Sequence, residues 1–510
     1  MSSRQNSRLL IFIAVAIYGL IAIFHLLSAR AGYSHYRDQH VGTALLYAKG
    51  SIDLLHPVIP GFNASGTPTP LELPVWQALA AAVFRQFGSW LGWANALSLI
   101  LFAGGLWPLH RLVREYLGER GAWWTLIFLL TQPLVILLSG QASVDGWSFT
   151  CAIWFLFFAD RLVRTQRAAW LFPSVALGAL SAVEKLPLFM CVGLIAFFLL
   201  LLHAPKSPRA WLLLTGAGAA SGALFAAWTH HANACLELAE FPMVDLRMFY
   251  LSDTWLWYFG DWHYRLNPAN WAKAGWIALN VLLGSFALAG LVLWSLFFSR
   301  NRLGQFAMAA AFLVTLVFTH LVLVHKHYYI LYSPAVAILA AGAVLALEER
   351  FQWKAAWQWR CAEAGWCAML LLGSVQGLIG METVLAYDPH PRQLARTIAQ
   401  HTQPSDKLVI YRGGWGGEIS MLAERTGLSI KSARIFEDPK TLPRLRELGY
   451  TKLVLIAESP LLHALQQTNP GSLSRQRVGY AEILPRGAEA WRTVLETDDL
   501  LIKDLPDAAR

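Results

Sequence analysis

Residues 9–27 read LLIFIAVAIYGLIAIFHLL and contain no Lys, Arg, Asp or Glu. Residues 276–298 read WIALNVLLGSFALAGLVLWSLFF and are likewise without charged side chains. Each stretch exceeds the roughly 18 apolar residues that a helix needs to cross a bilayer. The first stretch is also longer than the apolar region of a signal peptide. We therefore predict that it is retained as a membrane span.

The composition of the 510-residue chain indicates the same class of protein. Hydrophobic residues make up 56% and charged residues 14%, whereas a soluble protein carries about a quarter charged residues. We predict a polytopic α-helical membrane protein with about eleven transmembrane helices. The predicted spans lie near residues 9–27, 94–110, 122–138, 147–160, 169–183, 187–203, 210–229, 275–298, 305–324, 328–347 and 364–385.

The net charge and the cysteines argue against two other classes of protein. The charge of +9 is spread over the predicted helix ends, without a basic patch interleaved with aromatic residues. This pattern does not indicate a nucleic-acid-binding protein. The five cysteines show no Cys-x-x-Cys spacing. They predict neither a disulfide framework nor a metal site.

Basic residues in the short loops predict the orientation of the chain in a bacterial inner membrane. With a cytoplasmic N-terminus, the inside segments hold Arg4, Arg8, Arg111, Arg114, Arg120, Arg161, Arg164, Arg167, Lys206, Arg209, Arg300, Arg302, Arg350, Lys354 and Arg360. The outside loops are longer and hold fewer basic residues. An odd number of spans then places the C-terminus in the periplasm.

Two domains are predicted. Residues 1–385 form the transmembrane domain, with long outer loops at 28–93 and 231–273. Residues 386–510 form a soluble periplasmic domain, in which KLVIY (407–411) and KLVLIAE (452–458) have the pattern of buried strands, each preceded by helical sequence. This alternation predicts a small α/β domain with parallel strands.

Non-basic polar residues gather in the predicted outer loops, and four motifs occur there in chain order. The first loop has Asp38 soon after the first span and then PLELP (70–74), just before an amphipathic helix at 74–88. The motifs SGQASVDGWSF (139–149), LSAVEKLPLF (180–189) and HKHYYILYSPAVAILAAG (325–342) lie at later outer ends of spans. We find no internal repeat of the kind that many transporters contain.

Together these motifs resemble the polyprenol-phosphate-sugar transferases, the superfamily of protein O-mannosyltransferases and lipid A aminoarabinose transferases. The resemblance covers roughly residues 1–350. It implies the GT-C membrane fold and an inverting glycosyltransferase. Such an enzyme moves a sugar from a polyprenyl (undecaprenyl) phosphate carrier to a periplasmic lipid, glycan or protein, without a cofactor. A transporter or flippase of lipid-linked sugars is the main alternative, and a non-catalytic membrane assembly protein is a weaker one.

The resemblance implies that Asp38 is the general base that removes a proton from the acceptor hydroxyl. Many members of the superfamily have Asp-Glu at this place, whereas this chain has Asp38-Gln39. Asp38 could instead pair with the neighbouring Arg37. Glu72 is the second candidate base, and it could instead orient the helix that begins near Pro74.

Cationic and hydrogen-bonding side chains are expected to hold the departing phosphate. Lys185 is the first candidate because a charge between apolar stretches needs an anion or a partner, and Glu184 could be that partner. The other candidates are Arg37, Arg247, His325, Lys326, His327, Tyr328 and Tyr329, of which the last five could instead form an interfacial belt. Asp145 could position the acceptor or the sugar, or could cap the fourth span.

No metal site is predicted. His325 and His327 are two residues apart and could not complete a metal site alone. We therefore expect catalysis without a metal ion.

A reporter enzyme fused after Arg510 tests the predicted topology. We expect a reporter that works only after export to be active there, because the loop charges place the C-terminus outside. Activity of a reporter restricted to the cytoplasm would contradict the orientation, and fusions after Arg120 provide the opposite control.

Overall fold

The structure is a computed structural model, and it describes residues 3–31, 37–64, 66–241, 255–299, 301–351, 356–379, 390–411, 417–430, 433–457, 484–485 and 488–506. Its α-helices up to residue 236 are α1 (Ser3–Ala31), α2 (Arg37–Lys49), α3 (Val75–Phe87), α4 (Leu91–Leu130), α5 (Pro133–Ser139), α6 (Val144–Thr165), α7 (Leu171–His203) and α8 (Pro208–Leu236). The next are α9 (Trp255–Phe259), α10 (Trp262–Leu266), α11 (Pro268–Ala278), α12 (Phe286–Phe298), α13 (Arg302–Val317), α14 (Thr319–Val324), α15 (Ser333–Phe351) and α16 (Ala356–Ile379). The last are α17 (His390–His401), α18 (Glu418–Leu422) and α19 (Thr441–Glu447).

The strands all lie in the C-terminal part of the chain. They are β1 (Lys407–Tyr411), β2 (Thr426–Ile430), β3 (Tyr450–Ile456), β4 (Thr493–Glu496) and β5 (Leu500–Asp504). A 3₁₀ helix at Lys326–Tyr332 joins α14 to α15, and a π-helical turn at Leu279–Leu283 follows α11.

Contacts divide the chain into two compact units. The helical unit comprises residues 1–29, 95–229 and 249–381, and the mixed unit comprises residues 30–94, 230–248 and 382–510. The mixed unit thus gathers, with the C-terminal segment, the segment predicted as the first outer loop and the start of the segment predicted as the second, and these names are kept below. The predicted domain boundary at residue 385 stays a prediction.

Seven helices within the described ranges are long and apolar enough to cross a membrane, and the number is eight if a pair bent by 100° is counted as one span. The seven are Arg8–Ala29, Leu91–Leu130, Val144–Thr165, Ala168–His203, Pro208–Leu236, Lys326–Arg350 and Cys361–Ile379, and the bent pair is Pro268–Leu283 with Phe286–Phe298. The polytopic helical class is therefore confirmed, while the number of eleven spans stays a prediction.

The long helix α4 turns back on itself at Gly118. The backbone of Gly118 has φ 70° and ψ 177°, a region that glycine enters without the steric cost of a side chain. The rings of His110 and Trp123 lie on either side of this glycine, with centroids 4.5 Å apart. A straight helix would separate these residues by about 20 Å. The two predicted spans at 94–110 and 122–138 therefore meet as a hairpin.

The helix α7 folds back in the same way at Lys185. Trp170, just before α7, stacks on Phe158 of α6 at 5.7 Å. At the other end of α7, His203 Nε2 lies 2.9 Å from Tyr116 Oη, which donates to Asp160 of α6 at 2.8 Å. Both ends of a helix that would be about 50 Å long if straight thus meet the same end of α6.

The sequence explains why the break in α7 falls where it does. Lys185 has the non-helical angles φ −150° and ψ 87°. Pro187 has no N–H to donate, and in a continuous helix its ring would clash with the carbonyl of Val183, but it suits the first turn of a new helix that starts after Lys185. The Lys-x-Pro motif therefore ends one arm of α7 and starts the next.

Ion pairs tie several helices together at one end of the helical unit. Glu115 accepts from Arg161 and Arg164 of α6. Arg120 donates to Glu348 of α15 at 2.7 Å and to Glu363 of α16 at 3.0 Å. Arg120, Arg161 and Arg164 are among the residues predicted to share one membrane face, and that orientation stays a prediction.

The mixed unit is built on a five-stranded sheet with the order β2-β1-β3-β5-β4. The pairs β1–β2 and β1–β3 are parallel, as predicted for KLVIY and KLVLIAE, whereas β5 pairs antiparallel with β3 and β4. The sheet is therefore mixed and not purely parallel. Alternate residues face opposite layers: Leu408 and Ile410 pack beneath α17, and Val409 packs with Leu445 of α19.

The first outer loop continues this sheet beyond β2. Ser429 N–H donates to Gly61 O at 2.8 Å, and Gly61 pairs with Leu428 in a parallel bridge. The hydroxyl of Tyr450 donates to Ala64 O at 3.0 Å. The bond from Ser429 satisfies a backbone group of the edge strand β2 that would otherwise stay open to other chains, and the bond from Tyr450 fixes the loop beside the sheet.

Replacing Arg120 by Ala tests the ion pairs of the helical unit. The change leaves Glu348 and the largely buried Glu363 without their shared cation, which should cost about 2–4 kcal/mol of folding free energy. The apparent melting temperature in detergent measures this loss. Arg114→Ala is the control, since Arg114 meets the half-exposed Glu119 at 3.6 Å and should cost at most about 1 kcal/mol. Equal losses in the two variants would contradict the assignment.

Candidate active site

Lys185 lies at the turn between the two arms of α7, and its side chain is 13% exposed. Its ammonium nitrogen is 3.8 Å from a carboxylate oxygen of Asp145. The same nitrogen lies 5.8 Å from the ring centre of Tyr328, within the range of a cation–π contact. Residues from three distant motifs therefore meet around one positive charge.

Asp145 occupies the first turn of α6 and is nearly buried. The helix cap is Ser143, whose hydroxyl oxygen accepts from Asp145 N–H at 3.4 Å and donates to the Asp145 carboxylate at 3.2 Å. Ser143, and not Asp145, thus caps this helix. The Asp145 side chain is held by Ser143 and aimed at Lys185, where the helix N-terminus also favours its negative charge.

The segment His325–Tyr329 follows α14 and begins the 3₁₀ helix. The rings of His327 and Tyr328 lie 4.5 Å apart, and the ring of His325 lies 5.3 Å from that of His327. Tyr329 is buried, whereas Lys326 is exposed. The predicted cluster therefore divides, with His325 and Tyr328 close to Lys185 and Tyr329 turned into the core.

Aromatic residues of the second outer loop pack against this cluster. Trp257 of α9 contacts the rings of His320 and His325, with centroids 5.3 and 5.4 Å away. The backbone oxygen of Trp257 lies 2.8 Å from His320 Nδ1, and the Tyr264 ring lies 4.8 Å from His320. His320, Trp257 and Tyr264 were not among the predicted site residues, although the aromatic density of residues 255–264 was a usable signal.

The environment of His325 keeps its ring uncharged, so His325 does not act as a cation. Burial, together with the positive charge of Lys185 and the nearby His320, lowers the pKa of His325 to about 4, although Asp145 acts in the opposite direction. His325 is therefore neutral at pH 7 and offers one N–H donor and one lone pair. Positive charge beside Tyr328 comes from Lys185.

Of the remaining predicted residues, Arg37, Asp38 and Glu72 belong to the mixed unit. Asp38 and Arg37 lie in the first turn of α2 by their backbone, while their side chains and the whole of Arg247 are outside the described residues. Glu72 is half-buried and precedes α3, whose N-cap residue is Pro74.

The helices α2 and α3 pack together close to these carboxylate positions. Buried His40 lies two residues after Asp38, and its Nδ1 is 3.1 Å from Gln77 Nε2 on α3. Gln39 Nε2 is 3.3 Å from the other ring nitrogen of His40. Gln77 is five residues after Glu72, so one polar contact links the backbone segments that carry both candidate bases. His40 and Gln77 were missed because neither stands out in a single sequence.

Comparison with known proteins relies on structure, since no protein-family model and no curated protein sequence matches the chain. The structure aligns with the crystal structure of ArnT from Cupriavidus metallidurans bound to undecaprenyl phosphate. The TM-score is 0.61 over 99% of both chains, with 14% sequence identity. The apo state of the same protein gives 0.60 over 97% of this chain and 98% of the other, with 13% identity.

The chain has a GT-C-like fold. The arabinofuranosyltransferase AftD from Mycobacteria also aligns, with a TM-score of 0.50 and 16% identity, over 89% of this chain and 37% of the longer protein. The fold predicted from four short motifs is thus confirmed. The likeness to ArnT extends over the C-terminal segment as well, beyond the roughly 350 residues that the motifs covered.

The low pKa of His325 predicts how stability depends on pH. Histidine in an unfolded chain has a pKa near 6.5, so the folded state binds its proton less readily. This contribution to stability is complete above about pH 6.5 and is lost as the pH falls towards 4. The apparent melting temperature should therefore drop between pH 7 and pH 5 by more in the wild type than in His325→Gln.

The matched control for this test is His263→Gln, since His263 is exposed on α10. It should follow the wild-type pH dependence. Identical pH dependence of His325→Gln and the wild type would contradict the neutral state of His325.

Proposed function

We propose that the chain is an inverting glycosyltransferase of the inner membrane that uses a polyprenyl (undecaprenyl) phosphate sugar as donor. The acceptor is a lipid, glycan or protein at the periplasmic face. The observation that carries the proposal is the placement of Lys185, Tyr328 and His325 together at a break in α7, within a GT-C-like fold. The presence of undecaprenyl phosphate in the ArnT crystal structure supports a donor of this class.

In the proposed reaction, the acceptor hydroxyl attacks the anomeric carbon of the sugar from the face opposite the phosphate. The bond from that carbon to the phosphate oxygen breaks with inversion, and its electron pair stays on the phosphate. The growing negative charge needs positive charge and hydrogen-bond donors close to the oxygen. Lys185 supplies the charge, and neutral His325 can donate one N–H, so the chemistry needs no metal ion.

Asp145 positions Lys185 before the donor binds. A carboxylate 3.8 Å from the ammonium group and an aromatic ring on another side restrain a side chain that would otherwise sample many rotamers. The attraction is weaker than that of a bidentate pair, and the phosphate gains negative charge as its bond to the sugar breaks, so the phosphate can compete for the same ammonium group. Asp145 thus acts as a positioning residue beside the phosphate site.

Asp38 is the proposed general base, and Glu72 is the reserve. Removing the hydroxyl proton during attack requires a carboxylate that stays ionised. The contact between His40 and Gln77 supports this pairing of candidates, because it joins α2, which contains Asp38, to α3, which follows Glu72. Arg37, Arg247 and Lys326 are further candidates for the phosphate, and each stays a prediction.

Substituting Asp38 and Lys185 separates the two roles. Asp38→Asn should lower turnover about 10²–10⁴-fold, the usual contribution of a general base, with donor binding nearly unchanged. Lys185→Ala should weaken donor binding as well as turnover, since the cation meets the phosphate in both the ground state and the transition state. Lys185→Arg should recover part of the binding. Single-turnover transfer of labelled sugar and titration with polyprenyl phosphate measure these effects.

Two controls make the test decisive. Asp261→Asn changes an exposed outer-loop carboxylate to another good helix N-cap residue, and Lys49→Ala removes an exposed charge from the end of α2; both should keep wild-type activity. Full activity of Asp38→Asn would move the base to Glu72. Detergent solution has no compartments, so a flippase would transfer no sugar to acceptor there, and such a result would contradict the enzyme.

A further inference from the structure

Three side chains with metal-binding atoms converge in the mixed unit. His56, His231 and Cys235 place their ligand atoms within 4.8 Å of one another. His231 and Cys235 are four residues apart in the last turns of α8 and therefore lie on one face of the helix. His56 comes from the first outer loop. Spacing along the chain predicted no metal site here, because His56 and His231 are far apart in sequence.

The distances suit a tetrahedral metal ion. Zinc binds histidine nitrogen at about 2.0–2.1 Å and cysteine sulfur at about 2.3 Å, which puts a nitrogen and a sulfur on one ion about 3.6 Å apart. The Cys235 sulfur lies 3.7 Å from His231 Nε2. The rings of His56 and His231 have centroids 5.3 Å apart at an angle of 73°, so two nitrogens can approach a common point from different directions.

Asp53 supplies the support that a ligating histidine usually has. Its Oδ2 lies 3.1 Å from His56 Nδ1, and its Oδ1 accepts the backbone N–H groups of Leu55 and His56 at 3.0 Å. Protonated Nδ1 donating to a carboxylate leaves Nε2 as the lone-pair donor and raises its basicity. The order carboxylate, histidine, metal is the common arrangement around zinc in proteins.

We propose that His56, His231 and Cys235 bind one divalent metal ion of the zinc class, with Asp53 orienting His56. Two imidazoles and one thiolate are a borderline-soft ligand set that suits zinc, and three protein ligands leave one position for water. Binding displaces the Cys235 thiol proton to solvent. It also replaces the hydrogen bond between His231 Nε2 and Leu55 O, now 2.8 Å.

The bound metal ion would act as a cross-link within the mixed unit. It would join the exposed segment 51–56 to the end of α8, two parts of the chain linked here by a hydrogen bond and a ring contact. The proposal does not rest on glycosyl transfer, because metal content can be measured without any assay of activity.

The test uses the full-length protein in detergent, stripped with a chelator and then given zinc ions. We expect one equivalent of zinc to remain after desalting, as measured by elemental analysis. His56→Ala and Cys235→Ser should lose it, and Asp53→Asn should bind about 10–100-fold more weakly. Cobalt in place of zinc should give a thiolate charge-transfer band that Cys235→Ser lacks.

His230→Ala and Cys361→Ser are the matched controls, since both residues are exposed and one of them adjoins His231. Both should keep the metal. His56 is half-exposed in a loop, so His56→Ala reports on the site even where replacement of buried Cys235 impairs folding. Wild-type protein without retained metal, or equal retention by His56→Ala, would overturn the proposal and leave a thiol–imidazole hydrogen bond in its place.

Discussion

The rest of the candidate site depends on giving one largely buried ammonium group, that of Lys185, a defined place. A lysine among apolar helices is costly unless an anion or a polar partner faces it. The structure meets this cost by breaking α7 at Lys185, so that the side chain leaves at a turn and not from the middle of a span. Asp145 and Tyr328 then approach from α6 and from the segment before α15. The break at the Lys-x-Pro motif therefore places the Lys185 ammonium group beside both the Asp145 carboxylate and the Tyr328 ring.

Lys185 and His325 lie close together and have different roles in the candidate site. Lys185 supplies positive charge, which helps keep the nearby His325 neutral. Two adjacent cations would repel each other and would bind an anion tightly in every state of a reaction cycle. In the proposed reaction, one cation with a neutral donor attracts phosphate less strongly, which favours release of the spent carrier.

Much of this architecture could be predicted from the sequence because apolar length and turn residues are local signals. Lys-x-Pro and the apolar blocks on either side of it predicted two antiparallel arms, and KLVIY and KLVLIAE predicted neighbouring parallel strands. The antiparallel strands β4 and β5 were missed, since short segments such as TVLE and LLIKD are weak patterns. His320 and His40 were missed for a different reason. Their importance lies in partners far away in the chain, and no local pattern encodes such contacts.

The strand-like addition of the first outer loop to β2 has a consequence for biosynthesis. Ala64 is made early, yet its partner Tyr450 follows 386 residues later. At about 5–20 residues per second, the ribosome needs roughly 20–80 s to complete that interval. During this time the loop has no sheet to join, and its backbone groups remain open to other extended chains. The mixed unit can thus complete its fold only near the end of translation, which makes the early loop a natural client for chaperones on its side of the membrane.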